Sequence, residues 1–303
     1  MSDIARPAAR PYAAAATRIM KEEMGRIVWP TAVASAVIIG AFAIILFLAL
    51  NGFIPIWLGC ILAFLCIHPS AAVLHEASHR AVTGGIKGFG WFDEIIGTLH
   101  GWMLTYDFST FRYLHMRHHQ NTNDPAADPD FWMQGRHPLL IFFLAMFSPL
   151  HYLRLYVVCV RRGLVPRRDA IWSAVRILFI MTAVVTAMIV APGKAFLLWV
   201  FPASVASGIV NLSHSMLHRP VVSTDRRMTT LIVRGERLWE WVVSPFFWLN
   251  NHHFLHHEFP RAPFTAHARM FREVEHELRA DGVQIITVGT PRRSAPARAG
   301  ISA

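Results

Sequence analysis

Charge is what this chain has least of. Only 16% of its 303 residues are Asp, Glu, Lys or Arg, against about 25% in an average soluble domain. From Ile27 to His75 there is none at all. With 54% hydrophobic residues and a mean hydropathy of +0.37, this excludes a disordered or fibrous chain and argues against an ordinary soluble enzyme. Cysteine is scarce too. Cys60, Cys66 and Cys159 all sit in apolar stretches, which rules out a disulfide framework or a cysteine-built metal site and leaves three small buried hydrophobes. The sequence holds no Gly-x-Gly-x-x-Gly fingerprint, no haem-attachment motif and no cysteine cluster for iron–sulfur, so it has no visible electron-transfer module of its own. No repeat is visible. No cleavable leader is expected, because Met1 to Arg26 mixes charge with alanine and has no apolar core.

What is present is long apolar runs. A helix crossing the hydrocarbon core needs about 20 apolar residues. The uncharged stretch therefore suffices for two spans, about Thr31 to Leu50 and Ile54 to Leu74, with a turn at Asn51-Gly52. Two more are expected at about Ile171 to Val190 and Ala195 to Leu212, joined by Ala191-Pro192-Gly193-Lys194. The stretch from Pro138 to Val160 is apolar but interrupted by Ser148-Pro149, His151 and Arg154. Lys and Arg number five before the first span, none in the Asn51 turn and one, Lys194, in the Pro192 turn. Ten lie between His75 and Ile171 and twelve after His214. By the positive-inside rule, both termini and the central region fall on the cytoplasmic side, and the stretch near 138–160 must re-enter or lie at the interface. The net charge of +10 then reads as basic loops facing an anionic leaflet, and no nucleic-acid partner is expected. The expected fold is an all-α membrane protein: four transmembrane helices with a cytoplasmic histidine-rich cap. Its expected divisions are an N-terminal segment (1–30), a membrane-embedded catalytic domain (31–265) and a C-terminal segment and tail (266–303).

Seventeen histidines carry the chemistry. They cluster as His75-Glu-Ala-Ser-His79, His115-Met-Arg-His118-His119, His214-Ser-Met-Leu-His218 and His253-Phe-Leu-His256-His257. On a helix, residues three and four apart share a face, so each cluster aims two or three imidazoles in one direction. The first and third clusters end the second and fourth spans, which brings all four to one membrane face. Eight to ten neutral imidazoles exceed the needs of one ion. Two metals with four or five ligands each fit better, and imidazole suits Fe, Zn, Cu and Ni. One rival is a zinc protease, since His75-Glu76-x-x-His79 matches its pattern with Glu76 as base. That leaves both H-x-x-H-H clusters unexplained. The other rival is histidines that only store or transport metal.

These motifs resemble those of the membrane fatty acid desaturase superfamily, the histidine-box diiron enzymes. His75-Glu-Ala-Ser-His79-Arg80 is similar to the first box. The run from Tyr113 through His115, His118 and His119 to Asp124-Pro-Ala-Ala-Asp128-Pro-Asp130 is similar to the second box and its tail. Asn250-Asn-His252-His253-Phe-Leu-His256-His257-Glu-Phe-Pro260 is similar to the third. Glu-Ala-Ser-His-Arg and Asn-Asp-Pro-x-x-Asp-Pro-Asp are also similar to diiron carotenoid ring hydroxylases. The resemblance covers about residues 70 to 265. It implies two irons held by His75, His79, His115, His118, His119, His253, His256 and His257, plus a histidine at the end of the fourth span. His214 stands five residues before Arg219-Pro220, as in acyl-CoA-type desaturases; His218 stands directly before that pair, as in the hydroxylases. Asn211 lies three residues before His214, where the acyl-CoA desaturase pattern has four. Glu76, Asp124, Asp128, Asp130, Asn250, Asn251 and His252 are candidates to orient the ligands from behind. His68 is expected to bond inward. His100 and His151 are expected as polar contacts, and His137, His267 and His276 at the surface. The resemblance further implies O2 as co-substrate, attack on an unactivated C–H bond of a lipid or acyl chain in the bilayer, and a separate donor of ferredoxin, rubredoxin or cytochrome type. Desaturation is the commoner outcome in the superfamily; hydroxylation is the alternative.

Overall fold

A computed structural model describes residues 10–218 and 228–289; the Arg219-Pro220 pair and the tail from Pro291 lie outside the described residues. The first helix, α1 (Ala13–Glu23), is amphipathic and precedes the apolar runs. Then α2 (Trp29–Leu50) and α3 (Ile56–Ser78) form an antiparallel pair. Pro30 sits in the first turn of α2, where its missing N–H costs nothing. Asn51 closes α2 by donating its side-chain amide to the Phe47 carbonyl at 2.8 Å, and Pro55 caps α3. After them come α4 (Gly90–Met103), α5 (Phe108–Gln120), α6 (Pro138–Ala145), α7 (Ser148–Arg161), α8 (Arg167–Val190) and α9 (Pro192–Leu217). The C-terminal part holds α10 (Glu240–Phe246), α11 (His253–Glu258) and α12 (Phe264–Ala280).

Four helices, α2, α3, α8 and α9, are long and apolar enough to cross a bilayer. α2 and α8 are mostly exposed, as lipid-facing helices must be, while α3 and α9 are far more buried and pack together. The central pair thus carries the histidines at its ends. Both helices outrun their expected spans: α3 continues to Ser78 and α9 to Leu217, so His75 and His214 stand within regular helix.

The interrupted stretch becomes α6 and α7, which meet at 74°. With eight and fourteen residues at 1.5 Å each, they are about 12 Å and about 21 Å long, short of the roughly 30 Å core. Neither crosses alone. The bend comes where Ser148-Pro149 opens a new helix.

The described chain is mostly helical, as expected, and adds one pair of short strands. Strands β1 (Ile232–Gly235) and β2 (Ile285–Val288) pair in parallel, with Ile232 opposite Ile285. Local periodicity could not show it, because the partners are separated by α10 to α12. A second core of Tyr12, Ile19, Phe254, Met270 and Phe271 ties α1 to α11 and α12. The ion pairs Arg10–Glu258, Arg18–Glu273 and Arg269–Glu22 reinforce it.

Candidate metal centre

Every histidine box falls on a helix or at its cap. His75 lies in the last turn of α3, and His79 is its C-cap residue. His115, His118 and His119 stand in the last two turns of α5. His214 ends α9 and His218 caps it. His253, His256 and His257 fill the short α11. Asp107 starts α5 by accepting from the Thr110 amide at 2.8 Å, which fixes where its helical phase begins.

The folded chain sorts nine of the ten histidines into two sets. One comprises His75, His79, His115, His119 and His256; the other comprises His118, His218, His253 and His257. In each, one ring nitrogen per residue lies within 4.8 Å of all the others. In the first set the Nε2 atoms of His79 and His115 are 2.8 Å apart, of His119 and His115 3.1 Å, and of His256 and His119 2.9 Å. In the second, His218 and His253 approach at 2.9 Å and His257 and His253 at 3.1 Å. Nitrogens bound about 2.1 Å from one ion lie about 3 Å apart at right angles, so these spacings are those of a coordination shell. A hydrogen bond joins one N–H to one lone pair, whereas a cation accepts all the lone pairs at once. Both ring nitrogens of His75 and Nε2 of His118 are buried without a hydrogen-bond partner, a costly state unless something binds them. The residues present fit two ions.

Electrostatics agree. Burial, then the proximity of His267 and Arg112, pushes His79 down to about 3. Burial, followed by the neighbouring imidazoles, holds His115, His119, His218, His253, His256 and His257 well below the ordinary histidine value. All are therefore neutral at pH 7, as ligands must be. His118 runs the other way. Burial opposes its charge, but Asp128 and Asp130 outweigh burial and raise it. Its Nδ1 stands 2.9 Å from Asp128 Oδ1, so the carboxylate holds a proton there and leaves Nε2 free for a cation.

The outer candidates divide. Asp128 and Asp130 meet histidines: Asp130 Oδ2 is 3.5 Å from His118 Nδ1 and 3.4 Å from His214 Nε2. His214 belongs to neither large set but to this third group with His118 and Asp130. The others do not reach a ligand ring. Glu76 accepts from Thr31 Oγ1 at 2.5 Å and from the Phe264 amide at 2.5 Å, capping α12. Asp124 accepts from the Ala126 and Ala127 amides and makes a turn. Asn251 donates to the Val233 carbonyl at 2.9 Å. Asn250 has no partner for its side-chain amide, and His252 packs on Phe271. Glu76, Asp124 and Asn251 each take a backbone partner, which local spacing does not reveal. Engaged in that cap, Glu76 is not placed as a protease base.

Among the remaining histidines, His68 bonds the Pro245 carbonyl at 3.1 Å and His100 meets Ser35 Oγ at 2.8 Å. His151 lies against Trp132, and His137 and His276 are exposed. His267 is not at the surface. It is fully buried, with its ring 5.8 Å from that of His256. The available signal was helical phase, since it shares the apolar face of Phe264, Phe271, Val274 and Leu278. Trp248 was also missed. It sits at φ +44, a strained value for a bulky residue, with its ring 5.0 Å from His75 and Nε1 on Ser213 Oγ at 3.2 Å.

A mainly apolar cavity adjoins the centre. Leu74, Leu104, Phe111, Val210 and Trp248 line it, and His75, His115 and His214 border it. Helices fit to span a bilayer, two converging histidine sets and an apolar cavity beside them define a helical membrane protein with a candidate dinuclear metal centre. The fatty acid desaturase family model matches residues 51–289, well over half of the chain, and the chain belongs to that family. No curated protein was found to match it.

Proposed function

We propose that the protein is an O2-dependent diiron oxidoreductase that desaturates a fatty acyl or similar long hydrophobic chain. The observation that carries this is the pairing of a five-histidine and a four-histidine set, the first of which borders an apolar cavity through His75 and His115. His75, His79, His115, His119 and His256 would hold one iron; His118, His218, His253 and His257 would hold the other. When bound, the iron pair supplies the oxygen activation needed to break an unactivated C–H bond. The chain's own residues do the rest. Leu74, Leu104, Phe111 and Val210 align a flexible hydrocarbon and keep water out. Trp248 and Phe264, packed against His75 at 5.0 and 5.1 Å, hold its ring in place. Asp128 retains the proton on His118 Nδ1. Electrons come from a separate ferredoxin, rubredoxin or cytochrome. The histidine face and both termini are assigned to the cytoplasm, with residues 31–265 as the catalytic unit between an N-terminal segment and a C-terminal segment with its tail.

Hydroxylation of a carotenoid or other lipid is the second reading. One observation favours it: His218, not His214, joins the four-histidine set, and that is the position resembling the ring hydroxylases. Lipid mass spectrometry of cells expressing the protein with a compatible donor separates the two. Desaturation gives a lipid lighter by two hydrogens, only in air, and lost in His118→Ala and His256→Ala. A product heavier by one oxygen derived from O2 selects hydroxylation. A cleaved membrane protein that persists without oxygen rejects both.

A further inference from the structure

Tyr152 lies on α7, just past the bend with α6, and is buried. It lines the cavity together with Asp130 and His214, and its hydroxyl donates to Asp130 Oδ1. The other oxygen of Asp130 faces His118 Nδ1 at 3.5 Å and His214 Nε2 at 3.4 Å. Asp130 is buried too, and its amide is fixed on Asp128 Oδ1 at 2.8 Å. One carboxylate therefore joins a cavity-wall phenol to a histidine of the second set and to its neighbour. A buried carboxylate is costly unless its oxygens are partnered, and here both are.

We infer that Tyr152 is a positioning residue that, through Asp130, orients His118 and His214 and makes the second histidine set respond to what fills the cavity. This rests on the diiron reading above. The mechanism is mechanical. Anything that presses the Tyr152 ring shifts its hydroxyl, the hydroxyl carries Asp130, and Asp130 shifts the hydrogen-bonding side of His118. Outer partners of this kind typically change metal affinity 10–100-fold when removed.

Cobalt(II), titrated into the metal-free full-length protein, is a suitable probe, because its visible bands report the ligand field of each set without turnover. Wild type should bind two ions. Tyr152→Phe should weaken the second by about tenfold or more and shift only its bands. Asp130→Asn should do the same and serves if Tyr152→Phe fails to fold. Tyr156→Phe, on the same helix as Tyr152, loses a bond to Ser173 Oγ of α8 and should leave both ions unchanged. Leu104→Phe puts a bulkier side chain into the cavity and crowds its wall. It should shift the second ion's bands in wild type but not in Tyr152→Phe, a coupling that a double-mutant cycle isolates. Unchanged bands and affinity in Tyr152→Phe would overturn the inference, as would an equal Leu104→Phe shift with and without Tyr152. Wild type binding fewer than two ions would instead defeat the two-metal reading itself.

Discussion

His118 differs from the other imidazoles of the centre in having acids behind it. Its Nδ1 proton is shared with Asp128 at 2.9 Å, while Asp128 also accepts from the Asn123 and Asp130 amides at 2.7 and 2.8 Å. Asp128→Asn keeps the volume but replaces a fixed acceptor with an amide that can face the ring either way. Affinity for the second metal should fall 10–100-fold with the first unaffected; a metal titration read by elemental analysis checks this. His100 makes a separate test away from the metals. Burial holds it down to about 4 from 6.5. Below pH 6.5 the unfolded chain takes up a proton that the folded chain refuses, so folding stability falls as pH falls, through the window from 6.5 to 4. The loss reaches about 3 kcal/mol by pH 4. In His100→Gln, denaturation of the metal-free protein in detergent should show a correspondingly flatter acid limb. At this scale the histidine clusters were legible because helical spacing alone aims each in one direction. The roles of Glu76, Asp124 and Asn251 were not, since each is decided by which distant backbone group arrives beside it.

Helices approach one another here where side chains are missing. Gly208 of α9 faces Phe142 of α6: an added Cβ would lie 2.8 Å from the ring and 3.1 Å from the Phe142 carbonyl. Backbone cannot yield as a flexible side chain does. Gly208→Ala should therefore cost about 1–3 kcal/mol through overpacking, and should loosen the α6–α7 pair that delivers Tyr152 to Asp130. Gly40→Ala, on the lipid-facing α2 where an added Cβ meets nothing within 4 Å, is the control and should leave the melting temperature close to that of wild type. Equal melting temperatures for the two variants would mean that α6 does not pack as described. The four long helices were legible because twenty apolar residues in a row permit little else. The 74° bend between α6 and α7 was foreshadowed by Ser148-Pro149, but its direction was not. That direction depends on Gly208 and on Tyr106, whose hydroxyl lies 2.5 Å from Ser148 Oγ, and both are remote in sequence. The β1–β2 pair escaped for the same reason.

At the scale of the whole molecule, convergence of the histidines depends on which way the chain threads the bilayer. α3 and α9 each carry histidines at their C-terminal ends. Those ends share a membrane side only if an odd number of crossings does not intervene between them beyond α8 and α9 themselves. A full crossing by α6 and α7 would send α8 and α9 through in the opposite sense and separate His214 and His218 from His75. The two sets mix residues from α3, α5, α9 and α11, the arrangement expected if α6 and α7 leave on the side they entered. Single cysteines at Asn51, Gly135 and Gly193, in a background lacking Cys60, Cys66 and Cys159, test this with a membrane-impermeant thiol reagent in sealed inverted and right-side-out vesicles. Asn51 and Gly193 should label from the periplasmic or external side, and Gly135 from the cytoplasmic side with the basic loops. Labelling of Gly135 and Gly193 from the same side would make α6 and α7 a crossing, and a shared metal centre could not then form from one chain. All three sites reversed, with Gly135 still opposite the other two, would leave the centre intact and place it on the external face, where a cytoplasmic electron donor could not reach it.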